Sequence, residues 1–200
     1  MTKKVLLGFS LCVALCSPGF AQTSAPATSL ERDAFSGGTI RFQLSAGGYR
    51  IRASRDDKIR VRWSTRWEED LASVRVDLEV HGKEAKIRTR GPSNNFQVEI
   101  EIPASSNVYA RLTAGELRIE GIEGSKDIES HAGDLDIDVG NPGAYSRVDA
   151  SVYFGDLDAS PFHISKGGIG RSFTWHGGGN YRLHAHLGAG ELRLYTRMPV

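Results

Sequence analysis

Apolar and polar residues alternate with a period of two through the first half of the chain. Ile40, Phe42 and Leu44 are separated by Arg41 and Gln43, and Tyr49, Ile51 and Ala53 by Arg50 and Arg52. The pattern returns as Ile59, Val61, Trp63 against Arg60 and Arg62, then as Val74, Val76, Leu78, Val80 against Arg75, Asp77, Glu79. It returns again as Phe96, Val98, Ile100, Ile102 against Gln97, Glu99, Glu101. Each run predicts a strand with one buried and one wet face. Gly47-Gly48 and Asp56-Asp57 stand where hairpin turns are expected, and Pro103 closes the last run. No window carries a helical period of useful length.

The second half is punctuated differently. Residues 22–111 hold six glycines and residues 112–200 hold fifteen, which predicts longer strands first and shorter, more regular ones later. A phrase recurs: Gly115-Glu116-Leu117-Arg118-Ile119, Gly133-Asp134-Leu135-Asp136-Ile137, Gly155-Asp156-Leu157-Asp158-Ala159 and Gly190-Glu191-Leu192-Arg193-Leu194. The intervals are 18, 22 and 35 residues, the last wide enough to hide one degenerate copy. Units of this size cannot bury an apolar face alone and must stack. In register, Leu117, Leu135, Leu157 and Leu192 form one inward ladder, and Ile119, Ile137, Ala159 and Leu194 a second. The expected fold is all-β, a repetitive β-solenoid-like or stacked-sheet architecture, with no substantial helix in the mature chain.

The stretch from Val108 to Gly124, preceded by Ile100-Glu101-Ile102-Pro103, resembles the exported bacterial domain family of unknown function known as "putative adhesin". The repeated Gly-acid-Leu phrases and the closing segment from Gly179 to Leu194 fit the same pattern, so the likeness spans roughly residues 33–197. The resemblance implies a β-solenoid-like fold. It brings no catalytic residues, and its adhesin label is an inference from architecture and export.

The N-terminus follows a secretory plan. Lys3 and Lys4 precede an apolar stretch of twelve residues, Val5 to Cys16, then Pro18 and the small residues of Gly19-Phe20-Ala21. This predicts a signal peptide at 1–21, a flexible leader at 22–33, and one elongated β domain at 34–200, with longer strands at 34–111 and Gly-rich repeats at 112–200. Twelve apolar residues are too few for a comfortable span, so no membrane span is expected in the mature chain. Cys12 and Cys16 both fall in the removed segment, and Leu11 and Leu15 stand where a lipoprotein needs a small residue. The mature domain then has no cysteine and relies on burial and backbone pairing. Loss of Lys3 and Lys4 takes the net charge from +1 to −1, which with export excludes nucleic acid as a partner. The expected location is the periplasm or the extracellular space.

Four groups carry candidate chemistry. Stacking puts Glu116, Asp134, Asp156 and Glu191 in one column about 4.8 Å apart, relieved by turn capping, water or a cation. No calcium-loop spacing accompanies them. These acids should be wet and alike, without the contrasting environments a glycosidase pair requires. His184 and His186 share a face of one strand, with His176 nearby, but no cysteine and no neighbouring carboxylate supports them as a metal centre. No Gly-x-Ser-x-Gly elbow exists, and Gly167-Gly168-Ile169-Gly170 and Gly177-Gly178-Gly179 read as loops between rungs, since neither leads into a helix. The fourth group is basic: between Arg41 and Arg66 lie eight cations and only Asp56 and Asp57 as acids. Arg50, Arg52, Arg60 and Arg62 form a candidate patch for an anionic glycan, a lipid headgroup or an envelope protein. The competing expectation pairs them across strands with Asp77, Glu79, Glu99 and Glu101. No catalytic, cofactor or metal residue is assigned. The sequence thus points to a non-enzymatic exported cell-envelope protein, an adhesin-like binding or scaffolding module. A carbohydrate-active β-helix enzyme of the envelope and an envelope-stress accessory protein are the alternatives.

Overall fold

The computed structural model describes residues 28–92 and 94–197; the expected signal peptide and the first part of the leader lie outside the described residues. Thirteen strands form one sheet: β1 (Ser29–Asp33), β2 (Thr39–Leu44), β3 (Gly47–Ser54), β4 (Lys58–Ser64), β5 (Arg75–His81), β6 (Glu84–Arg90) and β7 (Gln97–Pro103) come first. They are followed by β8 (Asn107–Leu112), β9 (Gly115–Glu120), β10 (Lys126–Asp138), β11 (Tyr145–Ala159), β12 (Ile164–His176) and β13 (Tyr181–Tyr195). The fold is all-β, with only short 3-10 turns at Glu68–Ser73, Pro142–Ala144 and Ser160–Phe162.

Two arms of the sheet meet at β10. One arm runs β1-β4-β7-β3-β9-β10 and the other β5-β6-β2-β8-β10. Residues Lys126–Ser130 of β10 pair with β8, and Gly133–Ile137 pair with β9. Beyond β10 the strands β13, β11 and β12 each pass through both arms, so the sheet folds over its own apolar face into a nearly closed, barrel-like wall.

The bend falls at the glycine of each repeated phrase. Gly115, Gly133, Gly190 and Gly155 lie side by side in register, with φ between +113° and +131°. Only glycine adopts that backbone freely. A Cβ on any of the last three would also run into the carbonyl oxygen of the neighbouring glycine. Gly47 pairs with Gly115 and begins the same corner in the first half, a fifth copy concealed because Gly48 and Tyr49 replace the acid and the leucine. Gly168, opposite Gly155, occupies the same corner on a strand that runs the other way, without the acid and leucine of the phrase.

Inside the bend the expected ladders form. Leu117, Leu135, Leu192 and Leu157 stack in that order, as do Ile119, Ile137, Leu194 and Ala159, and all are buried. Each enclosed leucine contributes about 1.5–3 kcal/mol relative to exposure. Lys126 is the exception, an inward-facing cation between Val108 and Leu183 and only 1% exposed. Its ammonium donates to the Ile122 carbonyl at 2.7 Å and to the Tyr145 hydroxyl at 2.8 Å. Burial lowers its pKa to about 8, opposed by the charges of Asp138 and Glu123.

Several expectations are corrected. A regular solenoid stacks successive copies in chain order, but here the last strand, β13, lies between β10 and β11. The copies are interchangeable in shape, and the antiparallel return through β12 leaves that slot to β13. Gly47-Gly48 is a corner and Asp56-Asp57 a crossing loop, because β9 and β7 separate or flank β3 and no β2–β3 or β3–β4 ladder forms. The longer strands, 13 to 15 residues, come second, since a corner glycine lets a strand continue through the bend. Gly167 to Gly170 lie within β12 for the same reason. Residues 29–33 of the expected leader form β1, antiparallel to β4, where Leu30 is half-buried and Glu31 reaches two cations.

Candidate functional site

The four arginines of the basic segment share the outer face of one arm, but they do not form a bare patch. Strand β7 runs between β3 and β4, so Glu99 lies between Arg50 and Arg62, and Glu101 between Arg52 and Arg60. Arg52 contacts Glu99 and Glu101 at 3.3 Å each, and Arg62 contacts Glu101 at 3.5 Å. Arg60 is held by Asp56 at 2.5 Å, Glu31 at 2.8 Å and Glu101 at 3.5 Å. The hydrogen bonds from Lys58 and then Arg60 lower the Glu31 pKa, and the one from Arg60 lowers that of Asp56. The cross-strand pairing with Glu99 and Glu101 is therefore present for Arg52, Arg60 and Arg62. Asp77 and Glu79 lie on β5 in the other arm, where Glu79 pairs with Arg88.

Arg50 differs. Among the described residues it makes no ion pair. Its neighbours across the sheet are Glu99, already bound to Arg52, and Arg118, already bound to Asp136 at 2.8 Å. Continuing across the strands, Arg118, Asp136, Arg193 and Asp158 alternate in sign. Both oxygens of Asp136 are engaged, one by Arg118 and the other by Arg193 at 3.3 Å.

Two residues nearer the corner, Gly48 leaves a gap in the carpet of side chains. Gln97 lies over it on one side, and Glu116 begins the acidic row on the other. The result is a groove of about 600 Å³ whose walls include Arg50, Arg62, Trp63, Gln97, Arg118 and Glu191, a size typical of small-molecule sites. The acidic row stacks in the order Glu116, Asp134, Glu191, Asp156. Glu191 pairs with Arg193, and Asp134 accepts the backbone N–H of Glu191 at 3.2 Å. No group of three or more His, Cys, Asp or Glu is placed to hold a metal ion among the described residues.

Sequence reasoning placed Arg50 and Arg62 on the wet face but missed Gln97, Arg118, Asp136 and Arg193 as their neighbours. A signal was available: Arg50, Arg118, Asp136, Asp158 and Arg193 all stand three residues after a corner glycine.

The histidines do not converge. His184 lies between Asp127 and Asp149, carboxylates distant in sequence, whereas His176 pairs across from Arg147. The Nδ1 of His186 and the Ser151 hydroxyl are 2.8 Å apart, with Glu129 across from His186. That pair sits on the open face of the sheet, where adjacent backbone N–H groups are committed to the ladder and supply no oxyanion site.

The sequence matches no family model and no curated protein. Its fold is similar to that of "a putative cell adhesion protein from Clostridium sporogenes", with a TM-score of 0.53 over 84% of this chain and 99% of that one, at 12% identity. "A putative adhesin from Parabacteroides distasonis" overlaps 56% of each chain with a TM-score of 0.29 and 15% identity. At 12% identity the first likeness is one of fold.

Proposed function

We propose that the protein is a non-enzymatic, exported module of the cell envelope that binds anionic carbohydrate in the groove beside Arg50. The observation that carries this reading is a guanidinium without a carboxylate partner among the described residues, set in a cavity of ligand size. Around it stand planar groups, Gln97 and Arg118 among them, that can hydrogen-bond sugar hydroxyls and carboxylates in pairs, with Trp63 half-buried at the edge. The secretory pattern at residues 1–21 and the adhesin-like fold support an envelope location. Hydrolysis is disfavoured because the most enclosed acid of the groove, Asp136, has both oxygens occupied by arginines and cannot deliver a proton to a leaving group.

Titration with a uronic-acid polysaccharide tests the reading. Wild-type protein should bind, and affinity should fall with added salt as exposed charges are screened beyond about 8 Å. Arg50→Gln should weaken binding about tenfold, whereas Arg88→Gln, on an arginine paired with Glu79 in the other arm, should change it little. Equal binding by wild type and Arg50→Gln would retire the groove.

A further inference from the structure

The open end of the sheet carries a second surface, and we infer that it is a contact site for an anionic lipid bilayer. This goes beyond the carbohydrate reading and does not rest on it. The residue just before each corner glycine is Ala46, Ala114, Ala132 and Ala189 in four of the corners, and Phe154 in the fifth. Across from Phe154, on the outermost strand, is Ile169. The fold is thus built four times with a methyl group at this position, and nothing in the packing calls for a phenyl ring. Yet Tyr153, Phe154 and Ile169 are 59%, 49% and 64% exposed. The two rings meet edge to face with centroids 4.8 Å apart, forming one apolar wedge on the convex side of the bend.

Cations flank the wedge. The Lys166 ammonium donates to the Ser172 carbonyl at 2.9 Å, and Arg171 Nε donates to the Gly167 carbonyl at 2.6 Å. Both acceptors are neutral, so both charges remain uncompensated; neither residue forms an ion pair among the described residues. No aspartate or glutamate occurs between Ala159 and Gly190. The carboxylates facing this part of β12, Asp156 and Asp158, belong to β11 and lie across from Gly167 and Ser165. Exposed aromatic and aliphatic groups beside unpaired Lys and Arg suit the boundary between headgroups and acyl chains. A convex wedge inserts there without needing a matching pocket. A second copy joined through β12 fits less well. It would bring two basic strands together, and two of the strand's carbonyls already accept from its own side chains.

Co-sedimentation with mixed phosphatidylglycerol–phosphatidylcholine vesicles and with phosphatidylcholine vesicles tests the inference, every variant being made in the same chain. Wild type should bind the anionic vesicles. Phe154→Ala combined with Ile169→Ala should bind them about tenfold more weakly. The first of these changes installs the residue the other corners carry, so the thermal midpoint should stay unchanged. Lys166→Gln combined with Arg171→Gln should abolish the preference for phosphatidylglycerol. Arg50→Gln should leave vesicle binding intact, which separates this surface from the groove. Retention of full vesicle binding by both double variants would overturn the inference. So would a concentration-dependent dimer that Phe154→Ala abolishes, with no vesicle binding by wild type, since that outcome assigns the wedge to a second copy.

Discussion

In the middle of the stack Gly133 has a glycine backbone on each side, Leu135 has a leucine on each side, and Asp136 has an arginine on each side. At the open end the same kind of position is looser. Gly168 also has a positive φ, but the atoms nearest a Cβ there belong to the flexible Arg171 guanidinium, the first at 2.8 Å. Phe154 faces water, and β12 has no strand beyond it. The opposite end of the sheet resolves its edges differently again: β1 and β5 come together, and Lys58, Arg60 and Arg62 of β4 all have acid partners. The repeated phrase does not itself make a position intolerant of change. The strands on either side do.

The largest test of that contrast is at the corners. Gly133→Ala should cost more than about 4 kcal/mol, because its Cβ would stand 1.9 Å from the Gly115 carbonyl oxygen, backbone that is itself held in the sheet, at a residue of positive φ. Gly168→Ala should cost about 1–3 kcal/mol, the strain alone, because the arginine can swing away. Similar losses in urea unfolding would show that the phrase, and not its neighbours, sets the constraint. Next comes the inward ladder. Leu135→Ala should cost about 2–5 kcal/mol, whereas Phe154→Ala should stay within about 0.5 kcal/mol of wild type.

Lys126 gives a third test, specific to the interior. Below about pH 8 it is charged in the folded and unfolded chains alike, and the folded state bears the cost of burying that charge. Above pH 8 the folded protein releases the proton while the unfolded chain keeps it, so stability should rise by about 2 kcal/mol toward pH 10. Beyond that, burial of Tyr145 raises its pKa above the ordinary value of 10.0 and reverses the trend, since the unfolded chain then loses a proton that the folded one retains. Denaturation between pH 8 and 10 should show the rise in wild type and none in Lys126→Met, which keeps only the fall that Tyr145 brings at higher pH. The smallest expected difference lies on the outer face. Asp136→Asn should lose no more than about 1 kcal/mol for two partly exposed ion pairs, and Asp158→Asn, which forms none among the described residues, should lose less.

What the sequence disclosed follows from the same contrast. Period-two alternation reports which side of a strand is buried, and that is local information. Hence the inward ladders of Leu117, Leu135, Leu157 and Leu192 were legible before any partner was known. Neighbour identity is not local. Four copies of one phrase fit one another in any order, and nothing in Gly190-Glu191-Leu192 says that it belongs beside Gly133 and Gly155. The groove was hidden for that reason: Arg62, Glu99, Arg50, Arg118, Asp136 and Arg193 come from six strands whose adjacency depends on the order. The corner at Gly47 escaped notice because its phrase keeps the glycine and loses the leucine. The pairing of Arg52, Arg60 and Arg62 with acids was legible, since Glu99 and Glu101 alternate on a strand of the same length and opposite charge. The exception of Arg50 was not, because it depends on Arg52 taking Glu99 first.

The position of β13 has a consequence for how the chain reaches this state. Strand β13, made after β11, is wedged between β10 and β11, so the latter cannot join the sheet until residues 181–195 are available. Nearly all the pairings that close the wall join residues far apart in the sequence. Such a topology folds slowly and late, because the entropy of closing long loops is lost before the contacts that offset it can form. A chain in which residues 181–195 are not yet made therefore cannot close the wall. Loss of β13 would not trim the molecule; it would leave β11 and β12 as a detached hairpin with an apolar face and no place to dock.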